Sequence, residues 1–489
     1  MHQIPKGQNL TQRTLEHFYF WGIADELRAA RLMPKGAPIG EITAYGDLMS
    51  NYWHAPAGRE VVRPFYFQDN DRMPQYRMEA VLRTKLKTVP KAQALFGWTA
   101  TALTQDDTGV RVAIADESGR RDEVYADFLV GCDGARSLVR EQSGIERSGT
   151  DFDRLMVLMV FRSRALHALL ERFPPRSTYR VMHPDFEGYW QFFGRIDVGE
   201  GFFFHAPVAR DTRREGFDFG APLRRAAGTD IDFTLDYGGF WELRNAVAET
   251  YRRGRVFIAG DAAHSHPPYG GFGLNNGLED AVNLSWKLAG VLQGWGGDGL
   301  LRSYSDERRA VFRDVAEDFI AARIQTDGEF LARYHPERDR AEFERAWAAR
   351  ETDLGTRAKS YEPNYEGSPV VCGAADGISG AAGQHELAAR AGHHLAPRRL
   401  SSGRDVYEEL GRGFTLLAFD AADADVQALA QAAQAQRVPL TVIRDSLRDG
   451  REAYGSRFVL VRPDQFVAWT ADAVPHDPAA LWRKATGHG

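Results

Sequence analysis

The chain has 489 residues, of which 43% are hydrophobic, and a formal net charge of −6. This length suits two or three domains with ordinary hydrophobic cores, and the acidic balance gives no basic surface for nucleic acid. The longest apolar runs are far shorter than a membrane span, the first ten residues lack a signal-peptide core, and Cys132 and Cys372 are the only cysteines. We therefore expect a cytoplasmic globular protein that binds neither nucleic acid nor membrane and has no cysteine metal site.

The first part of the chain is predicted to alternate between helix and strand. The apolar spacing over residues 9–31 predicts one helix with Thr11 or Asn9 as its N-cap, and residues 77–86 show a second pattern of helical period. Residues 94–129 contain three apolar runs separated by turns, which predicts three strands.

The last of these strands runs into the sequence GCDGARSLVR, residues 131–140. Asp133 lies at the bend between this strand and a following helix. An Asp-Gly turn of this kind is common in any protein, so the motif alone says little about function. It gains meaning from a second strand-to-helix junction further along the chain.

Residues 155–208 are the part richest in strand patterns and aromatic side chains. They predict an antiparallel sheet, and one face of it could form the wall of a pocket for a flat ring. A sheet packed on its own core would explain most of these aromatic residues without a ligand. Residues 241–248, further along, are predicted to form a short helix.

The second junction covers residues 255–281, RVFIAGDAAHSHPPYGGFGLNNGLEDA. A short apolar strand breaks at Gly260 and Asp261, and a turn rich in Pro and Gly leads into a helix near Leu274. The carboxylate of Asp261 can accept hydrogen bonds from sugar hydroxyls, and the unpaired N–H groups of the helix start can face negative charge. This order of residue types predicts a site for a phosphorylated, polyhydroxylated cofactor.

The helix after this junction is predicted to bury the face formed by Leu278, Ala281, Val282, Ser285, Leu288, Ala289 and Leu292. The following GWGGDG, residues 294–299, matches the G-x-G-x-x-G pattern of dinucleotide-binding turns. That fingerprint requires a preceding strand, whereas this copy follows a helix, so we interpret it as a helix C-cap and loop. A long helical segment then extends to about residue 350.

The remaining sequence divides into two parts by composition. Residues 351–391 are rich in Gly, Ser, Pro and Ala with little periodicity, which predicts a linker. From residue 392 the predicted order is strand, helix, strand, strand, helix, which fits a thioredoxin-like domain. Because this part has no C-x-x-C motif, we expect it to serve structure or assembly rather than redox chemistry.

Several of these motifs together resemble one family. GDAAHSHPPYGGFGLNNGLEDAVNLSWKLA resembles the second FAD-binding motif of the aromatic-ring flavoprotein monooxygenases, the para-hydroxybenzoate hydroxylase and phenol hydroxylase family. DFLVGCDGARSLVR is similar to the DG motif of that family, SYSDERR to its Y-x-x-E-R element, and PQYRMEAVL to its glutamine-containing helix start. The resemblance covers nearly the whole chain, and its GDAAH block is the most specific part.

The resemblance implies a fold of the α/β and α+β classes. Residues 1–150 and 240–350 would form an FAD-binding domain of the para-hydroxybenzoate hydroxylase type, with residues 41–73 partly in the substrate domain. Residues 151–239 would form an antiparallel-sheet substrate domain. After the linker, residues 392–489 would form the thioredoxin-like domain, which is similar to the tail of the phenol hydroxylase branch.

The resemblance also implies roles for individual residues. Asp261 would bind the ribityl chain of FAD, Asp133 would lie near the pyrophosphate and the approach of nicotinamide, and Pro268 would lie beside the reacting ring. Lys6 stands where relatives often have an arginine, so the charge is kept but the bidentate fork is lost. The other residues implied to bind the cofactor are Gln75, Gly260, Gly270, Gly273, Leu274 and Asn275.

The activity implied by the resemblance is hydroxylation of a phenolic aromatic compound. NADH or NADPH would reduce FAD, and the reduced flavin would capture O2 as a C4a-hydroperoxide that transfers its distal oxygen to the ring. A base that ionises the phenol is expected, and four histidines are candidates by their ordinary pKa: His54, His183, His205 and His266. We favour His205 together with Tyr189, because both lie on the presumed substrate sheet. A homodimer is also implied.

The sequence departs from the family pattern at its N-terminus. The family begins with a strand, a G-x-G-x-x-G turn, a helix and a second strand, and this unit of roughly 30 residues is absent. Either the start is misplaced and the native protein is longer, which we favour because the other motifs are intact, or the protein is a truncated form with impaired FAD binding and no catalysis. For the function there is a separate alternative, which is another flavin oxygenase on this scaffold, such as an epoxidase, a Baeyer–Villiger oxygenase or a heteroaromatic hydroxylase.

Overall fold

The computed structural model describes residues 4, 5 and 7–489, with the backbone alone at 150–153 and 351–358. None of the helices in this described part is long and apolar enough to cross a membrane. The helices are α1 (Gln12–Phe20), α2 (Ala24–Ala29), α3 (Gln75–Leu86), α4 (Leu138–Gln142), α5 (Arg164–Leu169), α6 (Gly220–Ala227), α7 (Phe272–Leu292), α8 (Asp298–Asp314), α9 (Ala322–Arg333), α10 (Arg340–Ser360), α11 (Asp423–Ala435) and α12 (Pro478–Ala485).

The strands are mostly short, apart from two long ones in the central sheet. They are β1 (Asn9–Leu10), β2 (Glu41–Tyr45), β3 (Trp53–His54), β4 (Asp71–Arg72), β5 (Trp98–Gln105), β6 (Val110–Asp116), β7 (Arg121–Ala126), β8 (Leu129–Gly131), β9 (Arg147–Arg162), β10 (Thr178–Met182), β11 (Gln191–Arg195), β12 (Gly201–Val208), β13 (Thr234–Ala248), β14 (Arg252–Arg253), β15 (Val256–Ile258), β16 (His264–Ser265), β17 (Tyr361–Asn364), β18 (Gly380–Ala382), β19 (Phe414–Phe419), β20 (Leu440–Asp445), β21 (Phe458–Val461) and β22 (Val467–Ala471).

Strands β8 and β15 form the framework of the first structural unit. They pair in parallel, with Leu129 opposite Val256 and Gly131 opposite Ile258, and β14 completes a three-stranded sheet. The apolar side chains of β15 are fully buried in one cluster with residues of α7 and α8. Because parallel strands end at the same edge of a sheet, the loops that follow β8 and β15 start side by side.

An eight-stranded sheet forms the second unit, in the order β16-β13-β9-β12-β11-β10-β2-β3. Its β10–β2 pair is parallel and its other pairs are antiparallel. Successive side chains of a strand point to opposite faces. One face packs against α5 and α6. The opposite face, which we call the inner face, carries Leu158, Val160, Phe192, Phe203 and His205, and its apolar cluster includes Val311 of α8 and the neighbouring Val315.

The C-terminal unit is a four-stranded sheet in the order β20-β19-β21-β22. Residues of α11 and α12 share a hydrophobic cluster with β19 and β21. The predicted order of strand, helix, strand, strand, helix is confirmed by β19, α11, β20, β21, β22 and α12, with β19 and β20 parallel. The assignment of this unit as thioredoxin-like stays a prediction.

The turn between β21 and β22 carries a fully buried ion network into the first unit. Arg462 donates to both carboxylate oxygens of Glu307 in α8, at 2.7 and 2.9 Å, and to Asp464 at 2.6 Å. Lys287 of α7 donates to Glu307 at 2.7 Å. All four side chains are 0% exposed, and two positive charges balance two negative ones. The C-terminal unit therefore supplies the counter-charge for buried groups on α7 and α8.

The predicted helix over residues 9–31 is wrong in its extent, because the structure forms two helices there, α1 and α2. The break follows Trp21 at Gly22, whose φ of +68° is a left-handed conformation that glycine adopts readily. Thr11 is the N-cap, as predicted, and its hydroxyl accepts a hydrogen bond from the N–H of Thr14 at 3.2 Å.

Residues 241–248 form the end of strand β13, so the predicted helix is wrong. Trp241 pairs with Met156 and Ala248 pairs with Arg147 of β9. The sequence of this stretch has no strong strand alternation, and pairing along the length of β9 decides its conformation. Tertiary contacts of this kind override local propensity.

Residues 351–391 are not a linker in the structure. Helix α10 extends to Ser360, and Tyr365, Val371 and Ala381 are buried in the cluster that covers the inner face. Glycine allows close approach here, because a Cβ at Gly377 would lie 2.7 Å from the backbone oxygen of Glu366. The low periodicity of this stretch reflects tight packing of loops rather than exposure.

The buried face of α7 also differs from the prediction. Ala281 and Ser285, on the predicted face, are exposed, whereas Asp280, Asn283 and Lys287 are buried. The polar face is buried because partners on α8 and in the C-terminal unit pair its charges. The GWGGDG stretch is confirmed as a helix end and loop, since residues 294–297 lie between α7 and α8 and the last two residues begin α8.

We predict that Arg462→Ala lowers the free energy of unfolding by about 3–5 kcal/mol, because Glu307 would remain buried with one cation fewer. The measurement is urea-induced unfolding followed by circular dichroism. The control is Arg483→Ala, whose ion pair with Asp477 is about half exposed at both ends, and it should cost less than about 1 kcal/mol. Equal effects of the two variants would contradict a buried network.

Candidate cofactor and substrate site

The loop between β15 and α7 contains most of the predicted cofactor residues. It begins at Gly260, with a φ of +58°, and reaches Gly270 and Gly271, with φ of +75° and +70°. Helix α7 starts at Phe272, so the N–H groups of its first turn have no partner within the helix. The helix start therefore presents a positive partial charge toward the loop.

Asp280 of α7 holds this loop in place from behind. Its carboxylate accepts hydrogen bonds from the N–H of Gly260 at 3.0 Å, from Nε2 of His264 at 2.6 Å and from Nε of Arg308 at 2.7 Å. Asp280 is fully buried. Burial favours a higher pKa for this carboxyl, but His264 and Arg308 hold the pKa below its ordinary value.

Arg308 of α8 extends the same network to the start of α7. Its guanidinium donates to the backbone oxygen and the side-chain oxygen of Asn276, at 3.3 and 2.9 Å, and to the hydroxyl of Tyr365 at 3.1 Å. On the same helix, the hydroxyl of Tyr304 donates to the backbone oxygen of Ile258 in β15 at 2.9 Å. The SYSDERR element thus fixes both ends of the loop.

The two acidic residues at the strand ends differ in their availability. The carboxylate of Asp133 accepts hydrogen bonds from the hydroxyl of Ser137 at 2.5 Å and from the N–H of Val139 at 3.0 Å, so it caps α4. Asp261 is exposed, and among the described residues no hydrogen-bond or ion-pair partner contacts its carboxylate. Asp261 is therefore the one of the two that is open to a ligand.

The N-terminal segment lies against the start of α7. The N–H of Gln75 donates to the backbone oxygen of Gly7 at 2.9 Å, and a Cβ at Gly7 would lie 3.1 Å from the side chain of Leu274. Gln8 is 6% exposed, and neither polar atom of its amide has a partner among the described residues. Lys6, predicted near the pyrophosphate, lies outside the described residues.

The side chain of Asn275 has a structural role. Its oxygen accepts from the N–H of Thr11 at 3.0 Å and the hydroxyl of Thr14 at 2.6 Å, and its nitrogen donates to the backbone oxygens of Asn9 and Gly271. These bonds join β1 and α1 to α7. The side chain of Asn275 is therefore fully used in structure, and the backbone N–H groups of Gly273 and Leu274 in the first turn of α7 are left for a cofactor.

On its other side the loop packs against the aromatic residues of the sheet. Tyr269, next to Pro268, stacks on Trp190 with ring centroids 4.3 Å apart, and its hydroxyl accepts the backbone N–H of Trp190 at 3.0 Å. Both residues belong to the cluster that includes Phe192 and Phe203. Pro268 is thus fixed between the start of α7 and the inner face.

Burial lowers the pKa of every histidine that was considered as a base, which makes each of them a weaker base. It lowers the pKa of His205 to about 3 and the pKa of His54 and of His266 to about 4. The pKa of His183 is lowered too, first by burial and then by Arg225. These side chains are therefore neutral near pH 7.

Tyr189 and His205 lie in different surroundings, although both were predicted on the sheet. His205 lies on β12 with its ring stacked on Phe192, whereas Tyr189 precedes β11 and its ring contacts the guanidinium of Arg154. Burial raises the pKa of Tyr189 above its ordinary value. The structure therefore does not place Tyr189 and His205 where they could act together as a catalytic base.

Sequence reasoning missed several residues of this site. Gln8 was given no role, and Tyr269 and Asp280 were part of a quoted motif without an assigned role. A signal for Asp280 was present, because Asp280, Asn283 and Lys287 recur at helical spacing. A polar stripe of this kind is normally read as a solvent face, and only the positions of α8 and the C-terminal unit show that it is buried.

Comparisons with known proteins agree with this geometry. Residues 1–318 match the family described as FAD binding domain, and residues 388–487 match the family described as aromatic-ring hydroxylase, C-terminal. The 4-methyl-5-nitrocatechol 5-monooxygenase of Burkholderia sp is 31% identical over 435 residues, which cover 83% of this chain and 76% of that protein. A polyketide hydroxylase of Streptomyces halstedii is 42% identical over 214 residues, which are 42% of this chain and 38% of that relative.

A solved structure extends the similarity to the whole fold. The ternary complex of aklavinone-11 hydroxylase with FAD and aklavinone superposes with a TM-score of 0.81 at 25% identity, covering 99% of this chain and 92% of that chain.

We predict that acid weakens the fold through Asp280. Its pKa lies below its ordinary value of 3.8 in the folded state, so its stabilising contribution is present above the ordinary pKa and is lost as the pH falls through the folded value. Asp280→Asn should lower the melting temperature near pH 7 and make its decline between about pH 5 and pH 3 shallower. Exposed Asp122→Asn is the control, and an unchanged pH profile in Asp280→Asn would contradict this role.

Proposed function

Because the chain belongs to the FAD-dependent aromatic-ring hydroxylases, we propose that it uses NAD(P)H and O2 to hydroxylate a phenolic aromatic compound. The observation that carries this proposal is the position of the loop from Gly260 to Gly271. One side of the loop presents Asp261 and the helix start of α7, and on its other side Tyr269 packs on Trp190 of the aromatic cluster. A cofactor and a flat substrate could thus meet at Pro268.

The residues present fit FAD. The exposed carboxylate of Asp261 would accept hydrogen bonds from the ribityl hydroxyls, and the N–H groups of Gly273 and Leu274, with Asn275 beside them, would meet the polar edge of the flavin ring. The amide of Gln8, which has no partner among the described residues, would form hydrogen bonds with the bound FAD.

The remaining cofactor residues would act by shape and position. The glycines at 260 and 270 keep the loop backbone in left-handed conformations and free of side chains. Gln75 donates its side-chain N–H to Glu79 at 2.9 Å, which leaves its amide oxygen available to the cofactor. Asp133 would act indirectly, by fixing the start of α4, and Lys6 remains a proposed pyrophosphate contact.

Bound FAD, once reduced by NAD(P)H, would supply the activation of O2 and the oxygen atom that is inserted. The chain itself would bind and orient the ring and exclude water from it. Phe192, Phe203 and Trp190 provide an apolar wall for this purpose, and Tyr269 fixes the loop above it. Because the candidate histidines are uncharged near pH 7, the phenol would be ionised with the help of hydrogen bonds and not of a positively charged histidine.

The names of the similar proteins support a multi-ring substrate. One relative is named as a polyketide hydroxylase, and the aklavinone-11 hydroxylase was solved with aklavinone. The inner face extends over several strands, which suits an aromatic compound of more than one ring. The homodimer stays a prediction.

We predict that Asp261→Ala raises the dissociation constant of FAD by roughly tenfold to a hundredfold, since hydrogen bonds to a charged group contribute about 1.5–3 kcal/mol. Quenching of flavin fluorescence on titration with protein measures the constant. Asp211→Ala, at an exposed aspartate of the second unit, should bind FAD like the parent chain. Unchanged binding in Asp261→Ala would remove Asp261 from the site.

The activity itself is tested with the FAD-loaded protein, NADH or NADPH, and a panel of phenols and hydroxylated anthraquinones. We expect coenzyme oxidation that is stimulated by some of these compounds, with products that have gained one oxygen atom by mass spectrometry. If coenzyme is consumed but every compound is recovered unchanged, the hydroxylase proposal fails.

A further inference from the structure

Two buried polar atoms on the inner face lack partners among the described residues. Nδ1 of His205 and Nε1 of Trp241 have no hydrogen bond, although His205 is 7% exposed. Buried polar groups in native proteins are nearly always hydrogen-bonded, so a pair of exceptions in one place requires an explanation. The two rings meet edge to face, with centroids 5.6 Å apart.

Strand register brings these residues to one patch. His205 of β12 and Gly239 of β13 are both opposite Leu158 of β9, and Trp241 is opposite Met156, two residues further along β9. Since side chains alternate, Leu158 and Met156 point to the same face as their opposite partners. The outer strands of this patch are about 10 Å apart, which is wider than one benzene ring.

The hydroxyl of Tyr237 covers the middle of the patch, and a ligand there would displace it. Gly239 carries no side chain, and a Cβ there would lie 2.4 Å from the hydroxyl of Tyr237, which is 36% exposed. The patch adjoins the cluster that contains Leu158, Phe203 and Tyr269, the neighbour of Pro268. A ligand on it would therefore extend from the Pro268 loop toward β13.

We propose that His205 and Trp241 are specificity-determining residues that hydrogen-bond the carbonyl oxygens of a fused aromatic ketone or quinone. This inference rests on the proposed function and names the substrate class of the same site. The indole N–H can only donate, so it requires an acceptor such as a carbonyl oxygen. In the neutral imidazole Nδ1 can carry the ring proton, so His205 can donate to a carbonyl oxygen as well.

The charge of the patch favours an uncharged ligand. Burial lowers the pKa of His205 to about 3, so its ring carries no positive charge for a carboxylate near pH 7. The guanidinium of Arg72 lies on the ring of Phe203, and it donates to Asn9 at 2.5 Å and to the backbone oxygen of Arg195 at 3.2 Å. These contacts hold Arg72 in place, so neutral oxygen atoms are the better match.

The test measures binding without turnover. Equilibrium dialysis of the FAD-loaded protein gives dissociation constants for 1-hydroxyanthraquinone and for 1-hydroxyanthracene, which lacks the carbonyl groups. His205→Phe and Trp241→Phe keep an aromatic ring and remove the polar atom. Each should weaken quinone binding by roughly tenfold or more and change hydroxyanthracene binding by less than about threefold. Trp53→Phe, whose ring packs on the opposite face of the sheet, is the matched control and should change neither constant.

Several results would overturn this assignment. They are an unchanged affinity of both variants for the quinone, an equal loss for the two compounds, and a parent chain that binds neither compound or binds both equally. Failure of the hydroxylase proposal would be recognised separately. In that case quinone binding would still depend on His205 and Trp241, but no oxygenated product would form.

Discussion

The buried carboxylate of Asp280 is the group on which the geometry of the site depends. It binds the N–H of Gly260 at the start of the loop, the ring of His264 inside the loop and the guanidinium of Arg308 behind it. A charge at this depth is stable only when it is paired and hydrogen-bonded. Arg308 is likewise a buried charge that needs Asp280, and it also fixes the backbone of α7 next to the helix start. One ionic contact therefore sets where Asp261 and the free N–H groups lie.

Similar buried pairs join the C-terminal unit and helix α1 to the helices of the first unit. Arg462 and Asp464 reach from the C-terminal sheet to Glu307, and Arg13 of α1 binds Glu279 of α7 at 3.1 Å. Breaking any one of them would leave an uncompensated charge in a region of low dielectric constant. The C-terminal unit, which has no redox motif, thus has a structural purpose that the ion network explains. It completes the charge balance of the helices that form the cofactor site.

The substrate side follows a different physical rule. Its wall is aromatic and neutral, and its histidines are kept uncharged by burial. Such a surface gives little electrostatic attraction for a charged ligand, and in our proposal the unpaired polar atoms of His205 and Trp241 make hydrogen bonding to the substrate selective. Recognition by shape and by a few neutral hydrogen bonds is compatible with chemistry that is carried by a cofactor and requires a dry pocket.

Local sequence order determined the conformation of the cofactor loop and the order of elements in the C-terminal unit. The strand, the Gly-Asp break, the glycine-rich turn and the helix start of the Gly260–Gly271 loop follow from neighbouring residues, since left-handed glycines and helix termini are local features. The order of elements in the C-terminal unit and the rejection of the GWGGDG turn were equally local. These features need no knowledge of what packs against them.

Tertiary structure decided what depends on distant partners. Whether residues 241–248 form a helix or a strand was decided by pairing with β9, and the polar face of α7 is buried because Glu307, Arg308 and Arg462 come from elsewhere in the chain. Residues 361–382 belong to the core because glycines let two loops approach. The position of His205 beside Trp241 results from register across three strands. Energies of pairing and burial are set by contacts between residues far apart in sequence, so the sequence alone could identify the cofactor loop but not the surface that it faces.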